Sequence, residues 1–352
     1  MNHKRIAVDL AKNVFQIAQT DHSGKVIARK RLSRVSFQQF IATLDEPTHF
    51  IAEACGSAHY WGRTLQTAGH TITLLHAGHV APFRRRNKND KNDCDAILDA
   101  SRSIDIKPIP IKSELQQHIQ HLHCLREGFK KTHNQRINSL RAIFREQGFD
   151  CPEGRDAFMK IAYALADQPV MRPMVECLHE ILEDICTLSK RIDAYEKKIA
   201  HLTKDNHIVT CLDEVTGIGV LTASAFVTTL VTPDRFNSGR MVSAWVGATP
   251  KEHSSGHTRK LGKISRAGDT YLRTLFIHGA RSALLAAKRR AANKPETLTR
   301  LQQWAIQISD RIGFNKATVA LANKLIRICW AVWRHQRQFD GNFIPAASSQ
   351  GG

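Results

Sequence analysis

The chain has 352 residues, enough for about two domains, and contains no run of about 18 uncharged apolar residues that would predict a membrane-spanning helix. Its 51 Lys and Arg against 32 Asp and Glu give a formal net charge of +19, which favours a polyanion such as nucleic acid over a neutral or basic partner. The eight cysteines form no C-x-x-C pair, which excludes zinc-ribbon and thioredoxin-like sites, and the absence of a signal-peptide pattern predicts a cytoplasmic protein.

The first hundred residues alternate between strand and helix patterns. Short apolar runs predict strands, and spacings of three and four predict helices. The predicted strands are 4–10, 13–20, 24–32, 48–54 and 71–76, and the predicted helices are 36–45 and 58–68. Three consecutive strands followed by alternating helices and strands is the element order of an α/β ribonuclease-H-like fold. That likeness concerns the fold alone, so function has to be argued from the site.

Four acidic residues carry the strongest chemical signal. Asp9 ends the first predicted strand and Glu53 ends the fourth, while Asp90 and Asp93 stand just before a helical pattern. Residues three apart share one face of a helix, so the last two can point at one site. Mg²⁺ prefers hard oxygen ligands, and two such ions can act together on a phosphodiester. One acidic residue in a strand is usually a solvated surface group, but the combination predicts a divalent-metal site. Spacing does not exclude Asp95 as a further ligand.

A basic run stands directly before the aspartate pair. It comprises Arg84, Arg85, Arg86 and Lys88. Such a run is usually a solvated face, but beside an acidic metal site it can hold the phosphates that neighbour a scissile bond.

The middle of the chain predicts long helices, at 113–147 and 175–203, with prolines between them. In the second, apolar residues recur at alternating spacings of three and four, which is typical of a coiled coil. An internal helical layer would show the same pattern, so self-association and intramolecular packing both stay open.

A second compact, mainly helical region is predicted from 208 onward. Within 212–230, Gly217 and Gly219 separate two helical patterns, similar to a helix-hairpin-helix motif in which backbone N–H groups approach a phosphate. A tight turn between packed helices is the equal alternative. The following segment, 251–269, is basic, glycine-rich and rich in hydroxyl groups, so it predicts a loop that can grip nucleic acid; its cations include Arg259, Lys260, Lys263 and Arg266.

Two further helices are predicted near the C-terminus, at 270–290 and 315–334, and Trp330 and Trp333 on the second are more typical of a core than of a base-stacking platform. The tail, 343–352, has the composition of a disordered segment.

Taken in this order and spacing, the motifs resemble the DEDD-type insertion-sequence transposases, the insertion-sequence one-hundred-ten family that includes the Piv and MooV invertases. The resemblance spans almost the whole chain. It rests on the segments 8–12, 53–56, 88–93, 216–219, 236–250, 255–256 and 261–273. Departures are Ala248 in a segment where Gly-Leu-x-Pro is more usual, and Cys94 in place of a common alanine; neither removes an acidic residue.

The resemblance implies a RuvC-like catalytic domain at 1–110, a helical coiled-coil region at 111–206 and a transposase domain at 207–342. It implies that Asp9, Glu53, Asp90 and Asp93 bind Mg²⁺, or Mn²⁺ in its place. It further implies a serine that attacks DNA to form a phosphoserine link; this serine falls on Ser255, with Ser254 as the fallback. The implied partners are double-stranded DNA, an element-encoded noncoding (bridge) guide RNA and further copies of the chain, as dimers and a synaptic tetramer.

We therefore predict a bacterial site-specific recombinase of a mobile insertion sequence that meets DNA at the nucleoid. Two alternatives are a metal-dependent junction nuclease that uses water in place of Ser255, and a nucleic-acid-binding protein without catalytic activity.

Overall fold

A computed structural model describes residues 4–84, 90–253, 258 and 260–343, with the backbone alone at residues 90 and 91. The chain divides into two compact units, Met1–Gln116 and Gln117–Gly352. The first is mixed α/β, and the second is mainly helical. Within the described residues, no helix combines the length and apolar character that crossing a membrane requires.

The first unit is built on a five-stranded sheet. Its strands are β1 (Arg5–Asp9), β2 (Val14–Thr20), β3 (Val26–Ser33), β4 (His49–Glu53) and β5 (Thr71–Leu75), in the spatial order β3-β2-β1-β4-β5. The first three strands pair antiparallel, whereas β4 runs parallel to both β1 and β5. The strand predictions from the sequence are confirmed, because alternating or continuous apolar runs mark strands with one or two buried faces.

Four helices accompany the sheet: α1 (Arg34–Ala42), α2 (Ala58–Thr67), α3 (Ala77–Val80) and α4 (Asp90–Ser101). On one face, Phe15, Phe37 and Trp61 meet edge to face with ring centroids 5.1–5.2 Å apart, which fixes α1 and α2 against β2. The other face, with Ala7 and Ile51 at its centre, is covered by the apolar side of α4. The site described below lies on that second face.

The second unit begins with long helices. They are α5 (Glu114–Glu146), which starts at the end of the first unit, α6 (Arg155–Ala166) and α7 (Val175–Thr203). Their buried faces form a separate core in which Phe144 of α5, Phe158 of α6 and Leu182 of α7 are fully buried. The first half of the heptad-like pattern is therefore used within the unit, and the coiled coil with another chain stays a prediction.

The remaining helices form the core of the C-terminal part. They are α8 (His207–Asp213), α9 (Val220–Leu230), α10 (Gly239–Val246), α11 (Thr270–Asn293), α12 (Arg300–Ile312) and α13 (Phe314–His335), with a two-stranded hairpin of β6 (Pro250–Glu252) and β7 (Leu261–Ile264). Trp330 and Trp333 are buried in this core, as predicted. Side-chain caps explain several helix starts: Asn206, Ser238 and Asp269 each accept hydrogen bonds from the first turn of their helix.

Candidate active site

The carboxylates of Asp9 and Glu53 stand at matching ends of two neighbouring parallel strands. Val8 is paired with Ala52, so the next residues, Asp9 and Glu53, are level with each other at the carboxyl ends of β1 and β4. Side chains alternate along a strand, so both point to the face that carries Ala7 and Ile51. This is the face that α4 covers. The structure thus brings the two carboxylates to one edge of the sheet, and their role as metal ligands stays a prediction.

A third carboxylate reaches this edge from α4. Asp93 lies in the first turn of the helix and is 9% exposed. Arg84 joins it to the sheet, because its Nη2 lies 2.8 Å from Glu53 Oε2 and its Nε lies 2.9 Å from Asp93 Oδ1. The guanidinium thus neutralises two of the predicted metal ligands at once, which lowers the cost of holding two carboxylates close together.

The thiols of Cys55 and Cys94 lie near the ends of β1 and β4. Cys55 donates to the carbonyl oxygen of Leu10 over 3.3 Å and so ties the chain after β4 to the chain after β1. Cys94 donates to the carbonyl oxygen of Gln16 over 3.3 Å. Burial raises the pKa of the Cys94 thiol to about 12, so at neutral pH it is a protonated packing group. Cysteine in place of the family's common alanine therefore adds no charge beside Asp93.

The donor set suits a hard divalent cation. Carboxylate oxygens are the ligands that Mg²⁺ prefers. Asp93 brings such a group to this edge, where its Oδ1 is paired with Nε of Arg84, so a cation binding there would take the place of the guanidinium. Among the described side chains, no three His, Cys, Asp or Glu residues are gathered closely enough to hold a metal ion. The side chain of Asp90, the fourth predicted ligand, lies outside them.

Asp95 takes a different direction from Asp93. Two residues further along α4, its carboxylate accepts a hydrogen bond from Arg29 of β3 at 2.6 Å. Residues two apart on a helix lie on nearly opposite sides, so Asp95 faces the far edge of the sheet. The sequence left its role open, and the structure separates it from the group formed by Glu53, Arg84 and Asp93.

The predicted nucleophile Ser255, like its neighbour Ser254, lies outside the described residues, between β6 and β7. The base of this hairpin is held by two glycines with positive φ, Gly247 at 78° and Gly268 at 126°. A Cβ atom on Gly247 would strike the carbonyl oxygen of Ala267, and one on Gly268 would strike that of Trp245. The two ends of the hairpin therefore cross at a distance that only glycine permits.

The helix-hairpin-helix prediction gains a packing explanation for one of its two glycines. Gly217, with φ at 87°, faces α11, where an added Cβ would lie 2.7 Å from the carbonyl oxygen of Gly279 and 2.8 Å from Cβ of Ala283. An added Cβ on Gly219, the residue before α9, would meet nothing within 4 Å. Close helix packing accounts for Gly217, whereas phosphate binding by this turn stays a prediction.

The predicted basic contacts divide into three groups. Arg85, Arg86, Lys88 and Arg259 lie outside the described residues. Lys260, Lys263 and Arg266 are exposed, as phosphate-binding groups must be. Arg84 binds carboxylates in this structure, so its predicted contact with DNA would require those ion pairs to open.

Sequence reasoning missed a cleft in the second unit, with a volume of about 2300 Å³. It lies between α10, the β6–β7 hairpin, α12 and α13, and Trp304, Lys324 and Arg327 line it. The sequence contains a pattern that indicates it: Lys316, Lys324 and Arg327 recur at helical spacing on one side of α13, beside the tryptophans that were predicted to be buried.

Comparison with known proteins matches both units. Residues 6–147 match a family model described as "Transposase" (DEDD_Tnp_IS110), and residues 209–295 match "Transposase IS116/IS110/IS902 family". A "Probable family 20 transposase" of Pseudomonas aeruginosa is 38% identical over 94% of this chain and 97% of its own length. The transposase for insertion sequence element IS1111A of Coxiella burnetii is 32% identical, covering 96% of this chain and 91% of its own. That for IS1328 of Yersinia enterocolitica is 30% identical, covering 93% and 96%.

These matches, which cover 93–96% of the chain and reach both units, define a transposase, an enzyme that cuts and rejoins DNA. Strand-end carboxylates on a sheet accord with that class. The chain belongs to the IS110 family of DEDD transposases, as the sequence motifs indicated.

Proposed function

We propose that this transposase cuts and rejoins DNA strands at a site in which Asp9, Glu53, Asp90 and Asp93 bind Mg²⁺ and Ser255 is the nucleophile. The observation that supports it best is the level placement of Asp9 and Glu53 at the ends of β1 and β4, with Asp93 joined to Glu53 through Arg84. The strand order β3-β2-β1-β4-β5 supports the narrower proposal that the first unit is a RuvC-like domain.

When bound, Mg²⁺ would supply Lewis-acid chemistry that activates a nucleophile and stabilises the leaving oxygen of a phosphodiester. Asp9 and Glu53 would hold it rigidly because both end strands of one sheet, and Arg84 would leave the carboxylates to pair with a nearby phosphate. The Ser255 hydroxyl would lose its proton as its oxygen bonds to phosphorus and the bond to the deoxyribose oxygen breaks, and the released deoxyribose oxygen would take up a proton. Attack by another strand's hydroxyl on the phosphoserine would then rejoin the DNA and restore the serine.

A guide RNA that pairs with donor and target DNA, and assembly into dimers and a tetrameric synapse, belong to the same proposal. The net charge of +19 supports the RNA partner, because each phosphate that a Lys or Arg neutralises releases condensed counterions.

Recombination in cells tests the proposal. A donor plasmid with the element's ends and flanking noncoding DNA is combined with a target plasmid, and junctions are counted by sequencing. Asp9→Asn and Ser255→Ala should each abolish junctions. Asp95→Asn is the matched control: the same chemical change on α4, at a carboxylate that pairs with Arg29, should leave junctions within a few-fold of wild type.

Each outcome assigns a role. Junctions that survive Ser255→Ala would move the nucleophile to Ser254 or water, and cleavage without rejoining would favour the nuclease alternative. Normal recombination by Asp9→Asn would refute the metal site. A wild-type protein that makes no junctions, with guide RNA present, would favour a binding protein without catalytic activity.

A further inference from the structure

The cleft in the second unit is strongly cationic. Among the described residues that line it, nine are Lys or Arg and one, Asp340, is acidic. None of the nine forms an ion pair with a carboxylate in the described part of the chain, although cations elsewhere do, such as Lys288 with Asp310. Unpaired cations gathered in a concave surface focus a positive potential and attract a polyanion.

The cations come from four separate elements that border the cleft. Arg240 is on α10, Lys263 is on β7, Arg300 is on α12, and Lys324 and Arg327 are on α13. Arg240, Lys263, Arg300 and Arg327 are exposed. Because these cations line one groove, a strand lying in it would meet cations from several elements, as suits a site that tracks the backbone.

An aromatic platform lies inside this ring of charge. The Lys324 ammonium is 4.0 Å from the centroid of the Trp304 ring, and Trp304 is half-buried in the cleft wall. Burial and the nearby Arg327 lower the pKa of Lys324, and no carboxylate of the described residues forms an ion pair with it. A base that stacks on the indole can exchange places with the ammonium, which then pairs with the adjacent phosphate.

Unpaired bases alone can use such a platform. In a duplex the faces of the bases are stacked on one another, so a side chain inside a groove meets only base edges. Apolar groups from α12 and α13, including Val319 and Ile328, also line the cleft; a duplex, with phosphates outermost, would leave these unused.

We propose that this cleft binds a single strand of DNA, with phosphates on the surrounding Arg and Lys side chains and a base stacked on Trp304. The inference deepens the proposed function, because Pro250 and Leu261, on either side of the segment that contains Ser255, both line the cleft. A strand bound in the cleft would therefore lie next to the base of that hairpin. A strand that has separated from its complement during strand exchange would fit this position.

Binding of a short fluorescein-labelled oligodeoxythymidylate to the full chain, followed by anisotropy in EDTA, tests this inference. Trp304→Leu should weaken binding about tenfold through lost stacking, whereas Trp304→Phe should recover most of it. Lys324→Ala combined with Arg327→Ala should flatten the slope of log K against log salt by about 1.4, or roughly 0.7 for each phosphate contact.

Arg289→Ala combined with Arg311→Ala is the matched control. Both arginines are exposed on α11 and α12 and neither lines the cleft, so this variant should bind the strand nearly as wild type does. Thermal unfolding of every variant separates lost binding from lost folding. Photocrosslinking with iodouracil in the oligonucleotide should label Trp304 directly, and this readout does not depend on affinity.

Several results would overturn the inference. Equal losses in the cleft and control variants, or equal losses for duplex and single strand, would make the contact unspecific. Tighter binding of an RNA of matching sequence would assign the cleft to RNA. Unchanged DNA binding with an altered oligomer mass would assign it to a second copy of the chain. Because no metal is present, failure of the Asp9 or Ser255 tests would leave these results unaffected.

Discussion

Replacing Gly279 by alanine tests how closely α11 packs against the turn before α9. A Cβ at this position would strike the carbonyl oxygen of Gly217, a backbone atom that no side-chain rotation can move aside. Overpacking of this kind costs about 1–3 kcal/mol and occasionally more. Because only a shift of the backbone can relieve this clash, we expect a cost at the upper end of that range. Alanine also gains about 1 kcal/mol over glycine inside a helix. The net expectation is a loss of about 2 kcal/mol.

Gly128→Ala supplies the control. It makes the same change in the interior of α5, where an added Cβ meets nothing within 4 Å, so helix propensity alone acts and the variant should gain about 0.5–1 kcal/mol. Urea unfolding followed by circular dichroism measures both variants. Opposite signs would support the close approach; a Gly279→Ala variant as stable as wild type would refute it.

Three further predictions concern pH, a helix cap and metal. His123 is buried, with Nδ1 2.9 Å from the Tyr271 hydroxyl and Nε2 3.0 Å from that of Ser224, and desolvation lowers its pKa from 6.5 to about 4. Because the pKa is depressed in the folded protein, the free energy of unfolding is highest above pH 6.5 and falls by up to about 3 kcal/mol between pH 6.5 and 4, as His123 protonates in the unfolded chain first. Urea titrations of His123→Gln should show a smaller fall in the free energy of unfolding over that pH range. The same fall as in the wild type would contradict this. Thr299→Ala removes the capping box with Gln302 at the start of α12 and should lower stability by about 1 kcal/mol, with Thr299→Ser as the tolerated control. Mg²⁺ at about a hundredfold excess over Kd should stabilise the wild type by about 3 kcal/mol; a similar rise in the melting temperature of Asp9→Asn would argue against that ligand.

The strands and long helices could be predicted from the sequence because periodicity reports directly on burial. The same reasoning located Asp9 and Glu53, since each ends an apolar run and parallel neighbours bring their ends together. Arg84 shows the limit of this reasoning. It pairs with Glu53, which is 31 positions away in the chain, and periodicity does not indicate which distant residues meet in the folded protein. The cleft was missed for a related reason: α13 carries three of its cations at helical spacing, but the others come from different elements and join them only after packing.

The two glycines at the base of the β6–β7 hairpin tolerate substitution much less than the residues between them. Gly247 and Gly268 admit no side chain, because backbone carbonyls occupy the space, while the strands between them pair over few residues, at Pro250 with Ile264 and Glu252 with Leu261. A mutational library scored for folding, not for recombination, should therefore tolerate change between the strands and reject it at the two glycines. The two glycines would then be required for folding alone, independently of any role that the segment between the strands has in catalysis.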